Sequence, residues 1–316
     1  MERIRKFIAK NSYSVLLDSI LMILIIIMSV SMPKFLTIDN FLTVLTRISE
    51  EGIIAVGVTI VVILGGIDLS VGSVMAMVPI IVSVLYTSGI PFVFCLLIAC
   101  ICGISVGLFN AFLIQKMSIQ PMIATLATMT MTRSIAYVLS GGKPLNDFPD
   151  VFFKISKGQL FGVRYPVYVL LLFSAAGTFV LNRTRTGRFI YSVGGNELAA
   201  KSSGINTDKV KYMGYVFSAI CSSLAGIMLA SRLNTANSSA GSSTALDMLT
   251  AVLLGGTSFK GGEGNIPGTI VGVLIMSLLV NGFNLLNISS YWQMTVMGIL
   301  LILIVGIDSK RRSRGI

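Results

Sequence analysis

The sequence predicts an all-α protein, a polytopic membrane helix bundle of about ten transmembrane spans with both termini in the cytoplasm. Three observations carry this expectation. Of the 316 residues, 54% are hydrophobic and only 12% are charged, whereas a soluble domain carries about a quarter charged residues. The apolar residues fall into blocks of roughly 16 to 23, the length a helix needs to cross about 30 Å of hydrocarbon. Basic residues gather at the ends of those blocks and mostly on one side of the alternating pattern.

Taken in order, the candidate spans cover 15–32, 52–66, 71–87, 92–114, 119–139, 166–181, 212–231, 245–258, 267–286 and 290–307. The first block is too long for a signal-peptide core and lacks a small-x-small cleavage site, so it reads as a retained span. An even number of spans puts both termini on one side, and both are basic: Arg3, Arg5, Lys6 and Lys10 at the start, Lys310, Arg311, Arg312 and Arg314 at the end. Alternation from a cytoplasmic N-terminus also places Lys116, Arg183, Arg185, Arg188, Lys201, Lys209, Lys211 and Lys260 inside. Lys34, Arg47, Lys143, Lys154, Lys157, Arg164 and Arg232 are left outside, and Arg133 falls within a span. This asymmetry follows the positive-inside rule. The runs 52–66 and 245–258 are short and end in Gly-Gly, which fits broken or re-entrant helices whose freed backbone faces protein or water. They share a pattern, ILGGIDLSVGS at 63–73 and LLGGTSFKGGEGN at 253–265, compatible with an internal repeat. The whole chain, 1–316, reads as one transmembrane domain, with 182–211 as its largest cytoplasmic loop.

The net charge of +11 belongs to span ends and not to a nucleic-acid surface. The four cysteines, Cys95, Cys100, Cys102 and Cys221, lie inside apolar segments and read as reduced, packed thiols. With no histidine, imidazole metal sites, His-based triads and histidine proton relays are excluded. No catalytic residue, metal site or resident cofactor is expected. The chain also lacks a G-x-x-x-x-G-K-[ST] string: Lys143 follows two glycines but precedes Pro144. Any nucleotide chemistry therefore belongs to another chain.

Small residues recur every four positions at Ala99, Gly103, Gly107 and Ala111 and again at Gly214, Ser218, Ser222, Gly226 and Ala230. That spacing makes a smooth helix face along which backbones approach closely in lipid. A second kind of stripe is polar. Thr125, Thr128 and Thr132 share a face beside Arg133, and an intramembrane arginine costs about 2.5–3.5 kcal/mol on insertion scales unless it faces water or a partner. The stripe is either a wall of a solute path or threonines back-bonding to their own helix beside an arginine that snorkels. Asn281 and Asn284 either line the same path or hydrogen-bond between helices. Asp68, just after Gly66, either caps the next helix or offers a carboxylate at membrane depth to a cation or a sugar hydroxyl.

The strings GGIDLSVGS (65–73), IATLATM (123–129), SGGKP (140–144), TRTGRFIYSVGGNELAAKSSGI (184–205), LTAVLLGGTSFKGGEGNIPGT (249–269) and VNGFNLLNISSYWQ (280–293) together resemble the sugar permeases of ATP-binding-cassette importers. That group includes ribose, xylose, arabinose, galactose and autoinducer-2 permeases, and the chain is most like the ribose type, from about residue 35 to 308. The resemblance implies a permease subunit that moves a monosaccharide across the bacterial cytoplasmic membrane. It also implies a second permease copy, identical or different, a cytoplasmic ATPase that binds ATP and Mg, and an extracytoplasmic sugar-binding protein. Within 182–211, Asn196 suits an N-cap, Glu197 a first turn and Gly204 a C′ position. In that family the loop resembles the segment seated in a cleft of the ATPase, with Ala199, Ala200 and Gly204 matching an Ala-Ala-x-x-x-Gly core. The departure is Leu198 where the motif has an acid, with Glu197 one position early, so the register is open. The rival classes are a secondary transporter or channel for a small polar solute, and a membrane-embedded enzyme, for which clustered intramembrane acids are lacking.

Overall fold

The computed structural model describes residues 12–32 and 35–313, which form thirteen helices and one short hairpin. The termini that entered the orientation argument, Arg3, Arg5, Lys6, Lys10 and Arg314, lie outside the described residues, as does Lys34. The side chains of Lys310, Arg311 and Arg312 lie outside them too. In chain order the helices are α1 Ser12–Ser31, α2 Ile38–Ile63, α3 Val71–Thr87, α4 Phe92–Gln115, α5 Pro121–Ser140, α6 Asp150–Lys157, α7 Tyr165–Arg183, α8 Arg185–Gly195, α9 Glu197–Ser202, α10 Thr207–Leu233, α11 Thr244–Leu254, α12 Ile266–Leu285 and α13 Ser290–Ser313. Strands β1 Gln159–Leu160 and β2 Val163–Arg164 pair antiparallel between α6 and α7.

Among the described residues, α4, α5, α7, α10 and α12 are each long and apolar enough to cross a membrane. The protein is a polytopic helical membrane protein. Two expected spans differ in extent. The run 52–66 is the second half of α2, which begins at Ile38 and carries Arg47, Glu50 and Glu51. These charges interrupt the hydropathy and not the helix, because each has a polar partner in the fold. The run 245–258 shrinks to the 11 residues of α11, about 16 Å at 1.5 Å per residue, roughly half the hydrocarbon thickness.

The interior is built on α2, α3 and α10. From Val71 to Ile80 every residue of α3 is buried, as befits a helix apolar on all sides. The peripheral helices expose large apolar side chains, such as Phe94 and Ile101 on α4 and Leu171, Leu172 and Phe179 on α7. Both small-residue stripes are packing seams. A β-carbon on Gly107 would come within 2.6 Å of the Tyr215 carbonyl oxygen and 2.7 Å of Ala219 Cβ, so α4 lies directly on α10. The Gly214–Gly226 face of α10 lies instead against Leu64, just past α2, and Met75 of α3. Close approach of this kind replaces the hydrophobic drive that helices lack in lipid.

Two breaks interrupt the helices, at 64–70 after α2 and at 255–265 after α11. They are the two Gly-Gly passages noted in the sequence, and they meet. The Gly262 N–H donates to the Ile63 carbonyl at 2.8 Å, and a β-carbon on Gly261 would lie 2.7 Å from the Gly65 nitrogen. Irregular backbone at membrane depth is tolerated when its polar groups are satisfied by other protein in this way.

Candidate functional site

Asp68 sits in the first break, 4% exposed. Its Oδ1 accepts from the Ser70 N–H at 3.0 Å and the Ser70 hydroxyl at 2.6 Å, while Oδ2 accepts from the Ser218 hydroxyl of α10 at 2.8 Å. Asn110 of α4 donates to Ser70 Oγ at 2.9 Å, and the Thr128 hydroxyl of α5 donates to Asn110 Oδ1 at 2.6 Å. Thr125, one turn earlier on α5, donates to the Ile67 carbonyl at 3.2 Å, and the Tyr215 hydroxyl reaches the same carbonyl at 3.4 Å. Asp68 therefore closes an Asx turn on Ser70 and does not cap the free amides of α3, whose N-cap Ser70 makes no side-chain cap bond. Thr132 is also buried, at 3% exposure. The break, α4, α5 and α10 thus share one hydrogen-bond network, in which the Asp68 carboxyl is held by hydroxyls and an amide.

The other candidates lie elsewhere. Arg133 reaches the carbonyls of Ser238 and Ala240, both at 2.5 Å, in the segment joining α10 to α11. It is a clamp on that segment and not a free snorkelling group. Asn281 and Asn40 exchange amide hydrogen bonds at 2.9 and 3.3 Å, and Asn284 accepts from Gln293 Nε2 at 3.0 Å. Those two asparagines join α12 to α2 and α13, apart from the threonine stripe.

A charged cluster escaped the sequence reading. Glu50 of α2, 2% exposed, takes a bidentate pair from Arg232 of α10, Nε–Oε1 at 2.8 Å and Nη2–Oε2 at 2.9 Å. Beside it Arg47 binds Glu51 at 2.7 Å, and Ser277 of α12 donates to Glu51 Oε2 at 2.5 Å. The one signal in the sequence is the spacing of Arg47, Glu50 and Glu51 within two turns just before the apolar run.

On the far side from Arg232, α8 and α9 form a compact unit. Asn196 Oδ1 accepts from the Ala199 N–H at 3.0 Å, Gly204 has φ +82°, and the Ile205 N–H closes onto the Ala200 carbonyl at 3.1 Å. Glu197 pairs with Lys211 at 2.6 Å. Ala200 is 4% exposed, whereas Leu198 is 79% exposed. The unit touches both breaks: Gly194 packs on the Ile63 carbonyl and Gly262, and the Tyr191 hydroxyl donates to the Gly264 carbonyl at 2.7 Å. Burial pushes the Tyr191 phenol above its ordinary range. The contact of α8 with the two breaks is thus made by backbone at Gly194 and by the Tyr191 side chain at Gly264.

Among the described residues, no group of three or more His, Cys, Asp or Glu side chains is placed to hold a metal ion.

The profile of the family described as "Branched-chain amino acid transport system / permease component" matches residues 40–305. The chain is similar to the ribose import permease protein of Haemophilus influenzae, 39% identical over 92% of this chain and 91% of that one. It is 41% identical to the ribose import permease protein of Bacillus subtilis over 92% and 91% of the two chains. The galactose/methyl galactoside import permease protein of Escherichia coli is 30% identical over 93% and 94%. These relatives are transport permease components and not enzymes. No solved structure matches the chain.

Proposed function

Because the chain belongs to the family of branched-chain amino acid transport system permease components, we propose that it is the permease subunit of an ATP-binding-cassette importer for a monosaccharide, a ribose-like pentose or hexose. The observation that carries the sugar assignment is the 39–41% identity to ribose import permeases across more than nine tenths of both chains. The family description names amino acids, so the substrate test needs both classes. Right-side-out vesicles holding the permease and its ATPase, loaded with ATP and supplied with binding protein outside, should accumulate labelled ribose, arabinose or galactose, and vanadate loaded inside should stop this. Accumulation of leucine in place of sugar would overturn the substrate class. Uptake that survives vanadate and collapses with an uncoupler would make the chain a secondary transporter.

In this reading two permease copies form the channel in the cytoplasmic membrane, each with ten spans and both termini inside, and ATP and Mg are bound by the ATPase. Ser192 and Ser313 then lie in the cytoplasm, Asp147 and Ser239 outside. Single cysteines at these positions in a background lacking the native four should follow that division with an impermeant thiol reagent on intact cells. Labelling at Ser192 before lysis would refute the orientation.

The 182–211 loop is the coupling segment, supported by its contact with both breaks. In this reading exposed Leu198 meets the ATPase, while Ala200, buried, packs the loop itself. Leu198→Asp should abolish ATP-driven uptake and co-purification of the ATPase at unchanged permease abundance, since a carboxylate desolvated without a partner opposes docking by several kcal/mol. Normal co-purification would remove Leu198 from the interface. The Asp68 network, with Thr125 and Thr128, is the part of the proposed translocation path that the loop's motion reaches. Thr132 and Arg133 are the further α5 candidates beside that network, whereas Asn281 and Asn284 bond α12 to α2 and α13 and stand apart from it.

A further inference from the structure

A cleft of about 530 Å³ lies between α7 and the first turn of α12, away from the polar networks and from α9. Its lining changes in chemistry along the helix. Leu171 stands at one end, Ser174 and Thr178 in the middle beside Phe179, and Asn182 and Arg183 at the other end, with Ile270 of α12 as the facing wall. Among the described residues no carboxylate lines it. The Ser174 hydroxyl is buried without a hydrogen-bond partner. From Leu171 to Arg183 the helix rises about 18 Å at 1.5 Å per residue, close to one leaflet of a bilayer whose hydrocarbon is about 30 Å thick. The cleft therefore runs from near the midplane to the membrane surface.

We propose that this cleft binds one anionic phospholipid, with an acyl chain along Leu171, Phe179 and Ile270 and the phosphate at Arg183 and Asn182. A lipid fits better than a protein surface because the cleft opens on the face of α7 where Leu171, Leu172 and Phe179 stay exposed, continuous with the helix surface that meets the bilayer. The charge at its rim selects the headgroup. Arg183 is exposed and is followed by exposed Arg185 and Arg188, and a guanidinium matches a phosphate in bidentate fashion. A zwitterionic headgroup brings its own ammonium into that rim and loses the advantage. The proposal rests on α7 spanning the membrane and on its end at Arg183, and not on the solute carried or on the ATPase.

The single tryptophan of the chain, Trp292, allows a direct test. The full-length protein carrying Trp292→Phe and Phe179→Trp is reconstituted in bilayers containing brominated phosphatidylglycerol or brominated phosphatidylcholine, and quenching of the introduced indole gives the relative association of the two lipids. We expect phosphatidylglycerol to be favoured about fivefold, the scale of one arginine at an anionic surface. In Arg183→Gln the ratio should fall to near one, and in Arg185→Gln it should stay high. With Arg183 intact, displacement of the brominated lipid by unlabelled phosphatidylglycerol gives the same ratio without relying on any Arg183 variant. A ratio near one in the parent, an equal drop in both arginine variants, or no quenching by either lipid because another copy covers the face would each overturn the proposal.

Discussion

Replacing Gly194 with alanine is expected to abolish the folded permease, whereas the same change at Gly195 should be tolerated. A β-carbon on Gly194 would overlap the Ile63 carbonyl oxygen and lie 2.7 Å from the Gly262 nitrogen, and nothing lies within 4 Å of one on Gly195. Both obstacles are backbone atoms already joined by the 2.8 Å Gly262–Ile63 hydrogen bond, so no rotamer change relieves the overlap. Ordinary overpacking costs about 1–3 kcal/mol, and a clash against two fixed backbones exceeds that range. The measurement is the amount of monodisperse protein after detergent extraction, together with its thermal midpoint. Wild-type yield and midpoint for Gly194→Ala would mean that α8 does not seat against the two breaks, and the proposed route from loop to membrane interior would fall with it.

The second large effect is expected at Arg232. Arg232→Leu leaves the Glu50 carboxylate, 2% exposed, without its bidentate partner, and breaking a buried pair from one side costs about 3–5 kcal/mol. The companion Glu50→Leu should be similarly damaging, while the double change should recover most of the loss, because removing both charges also removes the need to desolvate them. Thermal midpoints of the four proteins give the coupling by a double-mutant cycle. If the two single changes simply add in the double, Glu50 and Arg232 do not act as a buried pair.

The class of the protein was legible from local properties. Apolar blocks of spanning length and basic residues at their ends depend only on neighbouring positions, as do the small-residue stripes at 99–111 and 214–230. Caps are equally local, so Asn196 and Gly204 could be assigned as helix-end residues of α9. The limits of α2 were not legible, because hydropathy counts Arg47, Glu50 and Glu51 against a span without knowing their partners. Asp68, Thr125 and Thr128 were each noted, yet nothing in their spacing joins them to Asn110 and Ser218 and separates them from Asn281 and Asn284.

The sequence by itself determined that this chain lives in a membrane as a helical bundle, since a soluble core cannot hold so many apolar residues and blocks of roughly 16 to 23 fit spanning helices and not spanning strands. Only the tertiary structure decided which polar groups are paired inside it. In hydrocarbon a buried carboxylate or broken helix end is stable only when a donor arrives from elsewhere in the chain. Arg232 stands 182 positions from Glu50, and Ser218 stands 150 from Asp68. Such partners are fixed by how the helices pack.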